Sequence, residues 1–271
     1  MDPIAESPLP RDFVGVRGPD AATYLQAMVS NDVERLDPGD SCDALLLTPK
    51  ARVIAPLVVY RRDADDFLLL TAAGLGDALR TALVRSRFAA KCEIAVEEHR
   101  STLVVGAEGP TATVANRDYG VPAYEILDGE PPVDARRAEP EELERLRILA
   151  RTPVWGRELD DRVLPAEAGL ETRAIDFEKG CYPGQEPIAR QHYRGRVNRT
   201  LRVLRIEGEG SPGADAELRW DGKAVGRVTS AVRDGDHALA LGYVRREVPD
   251  HAVLAVEGRA VRQLDLTAAR P

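Results

Sequence analysis

KGCYPGQEPIAR, Lys179 to Arg190, packs a thiol, two glycines, two prolines and several polar side chains into twelve residues. Few core segments read like that. In Tyr182-Pro183-Gly184-Gln185, proline stands where the second residue of a turn wants φ of about −65°, and glycine where a type II turn needs positive φ. The spacing predicts a tight turn directly after Cys181 and a short helix from Gln185 to His192. Glu186 and Pro187 fall in its first turn, where a negative charge and a missing N–H are tolerated. Cys181 therefore sits at a strand-to-turn-to-helix junction, beside Lys179 and near a helix N-terminus. Such surroundings favour the thiolate and make it a nucleophile or metal ligand. The competing reading is a small buried hydrophobe, with Gly180, Pro183 and Gly184 serving only the backbone. The density of special residues favours the functional reading.

The whole chain has 271 residues, 44% hydrophobic and 30% charged, which describes a soluble globular protein long enough for two or three compact units. No apolar run is long enough to span a bilayer. MDPIAESPLP is acidic and proline-rich without an apolar h-region, so neither a signal nor a transit peptide is expected, and the cytoplasm is the expected compartment. Cys42, Cys92 and Cys181 are odd in number and widely spaced, which suggests neither a disulfide framework nor a CxxC metal site. The net charge of −8 argues against a general nucleic-acid binder.

In chain order, Phe13 to Val16 reads as a strand, and Asp20 caps a helix with Leu25, Met28 and Val29 on one face. Cys42 to Leu47, Arg52 to Tyr60 and Phe67 to Thr71 read as strands. Leu75 to Phe88 reads as a helix on Leu75, Leu79, Leu83 and Val84, before strands at Glu93 to Val96 and Thr102 to Val105. The proline-rich LDGEPPVDARRAEP, Leu127 to Pro140, marks a domain boundary. Glu141 to Ala150 is a helix with Leu143, Leu146 and Leu149 or Ala150 on a face. From Leu201 the texture is all-β: Leu201 to Ile206, Glu217 to Trp220, Ala224 to Thr229, Ala238 to Val244 and Ala252 to Val256. Asp221-Gly222 is a two-residue hairpin signal. Arg190, Arg194, Arg196, Arg199, Arg202 and Arg205 crowd together as a solvated, ion-paired face or as a site for carboxylates or phosphates, such as a glutamate tail or an RNA backbone. Aromatic residues are scarce at 5%, so Trp155 and Tyr182 are candidates to face a planar ligand.

K-G-C-Y-x-G-Q-E, formed here by Lys179, Gly180, Cys181, Tyr182, Gly184, Gln185 and Glu186, resembles the signature of the YgfZ family of folate-binding proteins. VRGPDAATYLQAMVSNDV (Val16 to Val33), ALLLTPKARVI (Ala44 to Ile54), WGRELDDRVLPAEAGL (Trp155 to Leu170) and GRVTSA (Gly226 to Ala231) are similar to its other motifs, in order. The resemblance implies an α+β fold of three modules in a cloverleaf around a central cavity. Residues 1–47 and 138–197 form the first, 48–137 the second, and 198–271 a C-terminal β-barrel. It implies binding of tetrahydrofolate or a derivative, with Phe13, Trp155, Tyr182, Gln185, Glu186 and Arg190 at the folate and Cys181 and Lys179 as the functional thiol and its neighbour. It also implies assembly or repair of iron–sulfur clusters in client enzymes, including tRNA-modifying ones, with cluster-assembly proteins as partners. No resident metal and no membrane are implied. The alternative is a folate-dependent aminomethyl or one-carbon transferase like the glycine-cleavage T-protein. That enzyme carries an aspartate pair where Ala55 and Pro56 stand here, and a pterin-contacting glutamate and a glycine where Leu149 and Arg151 stand. An apolar pair cannot activate an amine.

Overall fold

The structure, a computed structural model, describes residues 4–265, apart from the side chain of Arg194. The chain divides into two compact units. One takes the chain up to Arg117, Pro122–Arg137 and Leu170–Gly195; the other takes Asp118–Val121, Ala138–Gly169 and the chain from Arg196 on. The first unit begins with β1 (Ala5–Pro8), β2 (Arg11–Arg17), α1 (Ala21–Met28), β3 (Ser41–Leu47), β4 (Val53–Asp63), β5 (Asp66–Ala72) and α2 (Gly76–Ser86). It continues through β6 (Glu93–Glu97), β7 (Ser101–Val105), β8 (Val114–Ala115), β9 (Ala123–Leu127) and β10 (Arg136–Arg137). The second unit takes α3 (Pro140–Leu149), after which α4 (Glu171–Ala174) and α5 (Gln185–Arg194) return to the first. The second unit is completed by β11 (Arg199–Glu207), β12 (Glu217–Trp220), β13 (Lys223–Asp234), β14 (His237–Arg245), β15 (Leu254–Val256) and β16 (Arg259–Leu264).

The first unit holds two five-stranded sheets. One has the order β3-β4-β5-β2-β6 and is antiparallel throughout; the other runs β10-β1-β7-β9-β8. Side chains alternate along a strand, so β2, β4 and β5 of the first sheet each supply two cores. Val14, Val16, Leu57, Val59, Phe67 and Leu69 pack with Leu25, Leu79 and Leu83 of the two helices. Phe13, Val58, Tyr60, Leu68 and Leu70 pack on the other face with Val114 and Leu127 of the second sheet. A sheet covered on both faces explains the unbroken apolar runs of β3 and β5. The unit also buries Glu125 completely. Its carboxylate accepts a bidentate pair from Arg11 at 2.6 and 3.0 Å, the Ser101 hydroxyl at 2.7 Å and the Asn116 amide at 2.9 Å. These partners satisfy the buried charge.

In the second unit six strands close a barrel in the order β11-β14-β13-β12-β15-β16, with β16 paired back onto β11. The Asp221-Gly222 hairpin forms as expected, with positive φ of 48° and 74°. Gly226 passes so close to β14 that a Cβ would lie 2.0 Å from the Tyr243 carbonyl oxygen, which no other residue tolerates. No helix among the described residues is long and apolar enough to cross a membrane.

Several local expectations are corrected. Asp20 stands at the N-cap of α1 without capping it, because its carboxylate accepts the Lys91 N–H at 2.7 Å instead. On α2, Val84 points outward while Leu79 and Leu83 are buried. On α3 the leucines at 143, 146 and 149 are only half-buried, and the buried positions are Arg147 and Ile148. Arg147 is held inside by the Glu144 carboxylate, the Thr152 carbonyl and the fully buried Glu158. The helix ends in paired reverse bonds, Arg151 N–H to Ile148 O and Thr152 N–H to Arg147 O, with Arg151 at φ 57°. That left-handed position is one that favours glycine.

Candidate functional site

The motif forms the turn its residues dictate. The Gln185 N–H donates to the Tyr182 carbonyl at 3.2 Å, and Gly184 lies at φ 86°, ψ 0°, the third-residue geometry of a type II turn. Helix α5 starts at once. Gly184 is pressed against the turn after β3, where a Cβ would meet the Thr48 carbonyl oxygen at 2.7 Å and Ala51 Cα at 3.2 Å. Gly180 differs, since a Cβ there would meet nothing within 4 Å. Cys181 is exposed between them, whereas Cys42 is half-buried and Cys92 buried.

The segment leading to the turn is tied to the end of α1. Ser30 Oγ donates to the Ala174 carbonyl at 2.6 Å, and the Asn31 side-chain amide donates to the carbonyls of Arg173 and Asp43. The Asp176 N–H returns a bond to the Ser30 carbonyl at 2.9 Å. Lys179, only 7% exposed, donates from Nζ to the carbonyls of Gln26, Val29 and Asn31, each at 2.7 Å. Lys179 is therefore not the free cation beside the thiol that the sequence predicts. An ammonium has three donors, and all three are committed to carbonyls left open at a helix end. Burial holds its pKa down to about 8. Burial also pushes the Cys42 thiol up to about 12, with Asp43 adding to the effect and Arg117 and Lys179 opposing it.

Tyr182 is 7% exposed, its ring 5.4 Å from the Lys179 ammonium. Its hydroxyl is buried with no hydrogen-bond partner among the described residues, and burial lifts its pKa to about 12, with Asp176 and Glu171 adding to the effect. On α5, His192 stacks on Phe177 at 4.0 Å and lies 3.7 Å from Glu171, with Tyr193 exposed alongside.

The other expected folate contacts lie on separate elements of the chain. Phe13 is 2% exposed and belongs to the core between the two sheets, its edge against His99, because its strand position faces that core. Glu186 and Arg190 pair with each other at 2.8 Å on the exposed face of α5, as their i,i+4 spacing allows. Gln185 is half-buried at the start of α5. Trp155 lies in the second unit, half-buried and bridged to Leu159. Of the crowded arginines, Arg199 binds Glu167 at 3.1 Å and lies over the Tyr243 ring, and Arg202 binds Asp250 and Gln263. Arg205 faces Glu207 at 3.6 Å, so these three serve the barrel's ion pairs; the Arg194 side chain lies outside the described residues. A shallow cleft of about 340 Å³ over β2 and β6, lined by Arg17, Glu93, Glu97 and His99, is polar and away from the motif. The described residues hold no cluster of three or more His, Cys, Asp or Glu that could bind a metal ion.

The GCVT N-terminal domain family matches residues 13–115. The tRNA-modifying protein YgfZ of Shigella dysenteriae serotype 1 is 26% identical over 265 residues, covering 84% of this chain and 81% of that protein. The chain is thus similar in sequence both to YgfZ and to aminomethyltransferases, one of them, from Shouchella clausii, 25% identical over 91% of this chain and 80% of that protein. An iron-sulfur cluster assembly factor IBA57 homolog, mitochondrial, from Pyricularia oryzae is 27% identical over 212 residues. That match covers 70% of this chain but only 54% of the fungal protein. The crystal structure of glycine cleavage system aminomethyltransferase T from Bartonella henselae superposes with a TM-score of 0.83 at 19% identity, over 97% of this chain and 86% of that one. The fold is thus aminomethyltransferase-like.

Sequence reasoning missed Gln26, Ser30 and Asn31. The signal for Ser30 and Asn31 is the VSND stretch, Val29 to Asp32, whose side chains and carbonyls receive the motif segment, whereas Gln26 lies before it in the last turns of α1.

Proposed function

We propose that the protein is a cytoplasmic, folate-binding factor that supports assembly or repair of iron–sulfur clusters in client enzymes, tRNA-modifying ones included, with Cys181 as its working thiol. The observation that carries this reading is an exposed thiol on a turn whose backbone is fixed on both sides. Similarity to proteins named as YgfZ and as an IBA57 homolog supports it. One cysteine does not hold a resident cluster, which normally takes four, so the cluster is cargo and the thiol acts on it or on a client transiently. Cys181→Ser should fold normally and fail to restore iron–sulfur enzyme activity in a deletion strain. Full restoration would return Cys181 to a structural role.

For the folate, the residue that fits is Tyr182, whose buried hydroxyl lacks a protein partner among the described residues and would gain one from a polar ligand. A reduced folate supplies a polar pterin and an anionic glutamate tail. Calorimetry with tetrahydrofolate tests this together with stability. Tyr182→Phe should weaken binding about tenfold while stabilising the ligand-free protein by about 1 kcal/mol, because it removes an unpaired buried hydroxyl. Unchanged affinity would remove Tyr182 from the site.

The aminomethyltransferase reading lacks its carboxylates at the matching positions. Ala55 on β4 is completely buried in the apolar core, and Pro56 offers only a carbonyl, which accepts the Thr71 hydroxyl at 2.8 Å. A glycine-cleavage assay should show no turnover.

A further inference from the structure

We propose that Lys179 is a positioning residue, one of two anchors that fix where Cys181 stands; the proposal rests on the assignment of Cys181 as the working thiol. On one side of the thiol, Lys179 places three N–H donors on the carbonyls of Gln26, Val29 and Asn31, at 2.7 Å each. On the other, Gly184 is seated against Thr48 and Ala51 with no room for a Cβ. Cys181 is two residues from the first anchor and three from the second, too short a stretch for the thiol to wander. The anchors grip two separate N-terminal segments, the end of α1 and the turn after β3, so the exposed thiol is referenced to the rigid core of the first unit. The side chain of Lys179 thus acts through the backbone of the motif rather than on the sulfur.

The ammonium is buried at a cost, which makes the anchor visible in a pH profile. The titratable groups around it are Asp32 and Glu34 after α1, Asp176 in the preceding segment and Cys42 on β3. Its folded pKa of about 8 lies below that of a lysine in water. An opening that returns Lys179 to solvent therefore takes up a proton above pH 8 and becomes rarer as pH rises.

The experiment is pulsed hydrogen–deuterium exchange on the full chain, corrected for intrinsic rates, comparing the wild type with Lys179→Met. In the variant, amides over residues 179–185 should exchange about tenfold faster or more, since three carbonyls lose their donor, while β5 and the barrel are unchanged. In the wild type, protection over 179–185 should rise between pH 7.5 and 9.5, and in the variant it should stay flat. Equal exchange in the two proteins, or acceleration shared by the whole first unit, overturns the proposal. If Lys179→Met does not fold, Lys179→Arg, which keeps the charge but not the compact three-donor head, is compared with the wild type in its place, and equal exchange over 179–185 overturns the proposal. Complementation by Cys181→Ser would remove the thiol assignment and leave the exchange result standing, whereas unchanged exchange would remove the anchor and leave the thiol assignment standing.

Discussion

Replacing Gly184 by alanine tests whether the turn carrying Cys181 is fixed by sterics. Two costs follow from the structure. At φ 86° a Cβ is strained in the left-handed region, which costs roughly 1–2 kcal/mol. The same Cβ would stand 2.7 Å from the Thr48 carbonyl oxygen and 3.2 Å from Ala51 Cα, both backbone atoms that cannot swing aside. Such overpacking costs about 1–3 kcal/mol. The lower entropy of an unfolded alanine returns somewhat less than 1 kcal/mol, which leaves a net loss of about 1–4 kcal/mol. Gly180→Ala is the internal control, because a Cβ there meets open space, and it should stay within about 0.5 kcal/mol of wild type. Urea unfolding followed by circular dichroism, with scanning calorimetry to resolve the two units, reads both variants. If Gly184→Ala matches wild type, or if Gly180→Ala costs as much, the turn is not seated as described and the second anchor of Cys181 is lost with it.

His99 supplies a pH dependence: burial opposes its charge, but Asp128 at 2.6 Å and Glu97 at 3.0 Å override that and raise its pKa. Its stabilisation is therefore full below the unfolded value and lost as pH rises through the higher folded one. The stability difference between wild type and His99→Asn should be level below about pH 6.5 and shrink as pH rises to 8.5, and a constant difference across that range would contradict the paired imidazolium. Glu97 behaves oppositely: hydrogen bonds from Arg62 hold it down to about 2 against burial, so its contribution is present above its unfolded value and disappears as pH falls toward 2. Iodoacetamide at pH 7.5 should label Cys181 first by mass spectrometry, since it alone of the three cysteines is exposed and burial raises the pKa of Cys42 and Cys92; earlier labelling of either would refute this ordering.

Features that depend on a few consecutive residues were legible before folding. The type II turn at Tyr182 to Gln185 and the Asp221-Gly222 hairpin follow from proline and glycine acting over four residues, and most strands lie where apolar runs meet Gly, Pro or Asp. The motifs carried the resemblance because they are local strings. What tertiary structure alone decided is who meets whom. Lys179 finds its carbonyls about 150 residues earlier, and Gly184 meets Thr48, because sheet pairing and the return of α4 and α5 to the first unit bring those segments together. Phe13 became core rather than ligand contact because a second sheet covers that face of β2, and Arg199, Arg202 and Arg205 became barrel ion pairs once the strands were in register. A side chain's type is written in the sequence, but its partners are set by long-range packing, which no window of neighbouring residues contains.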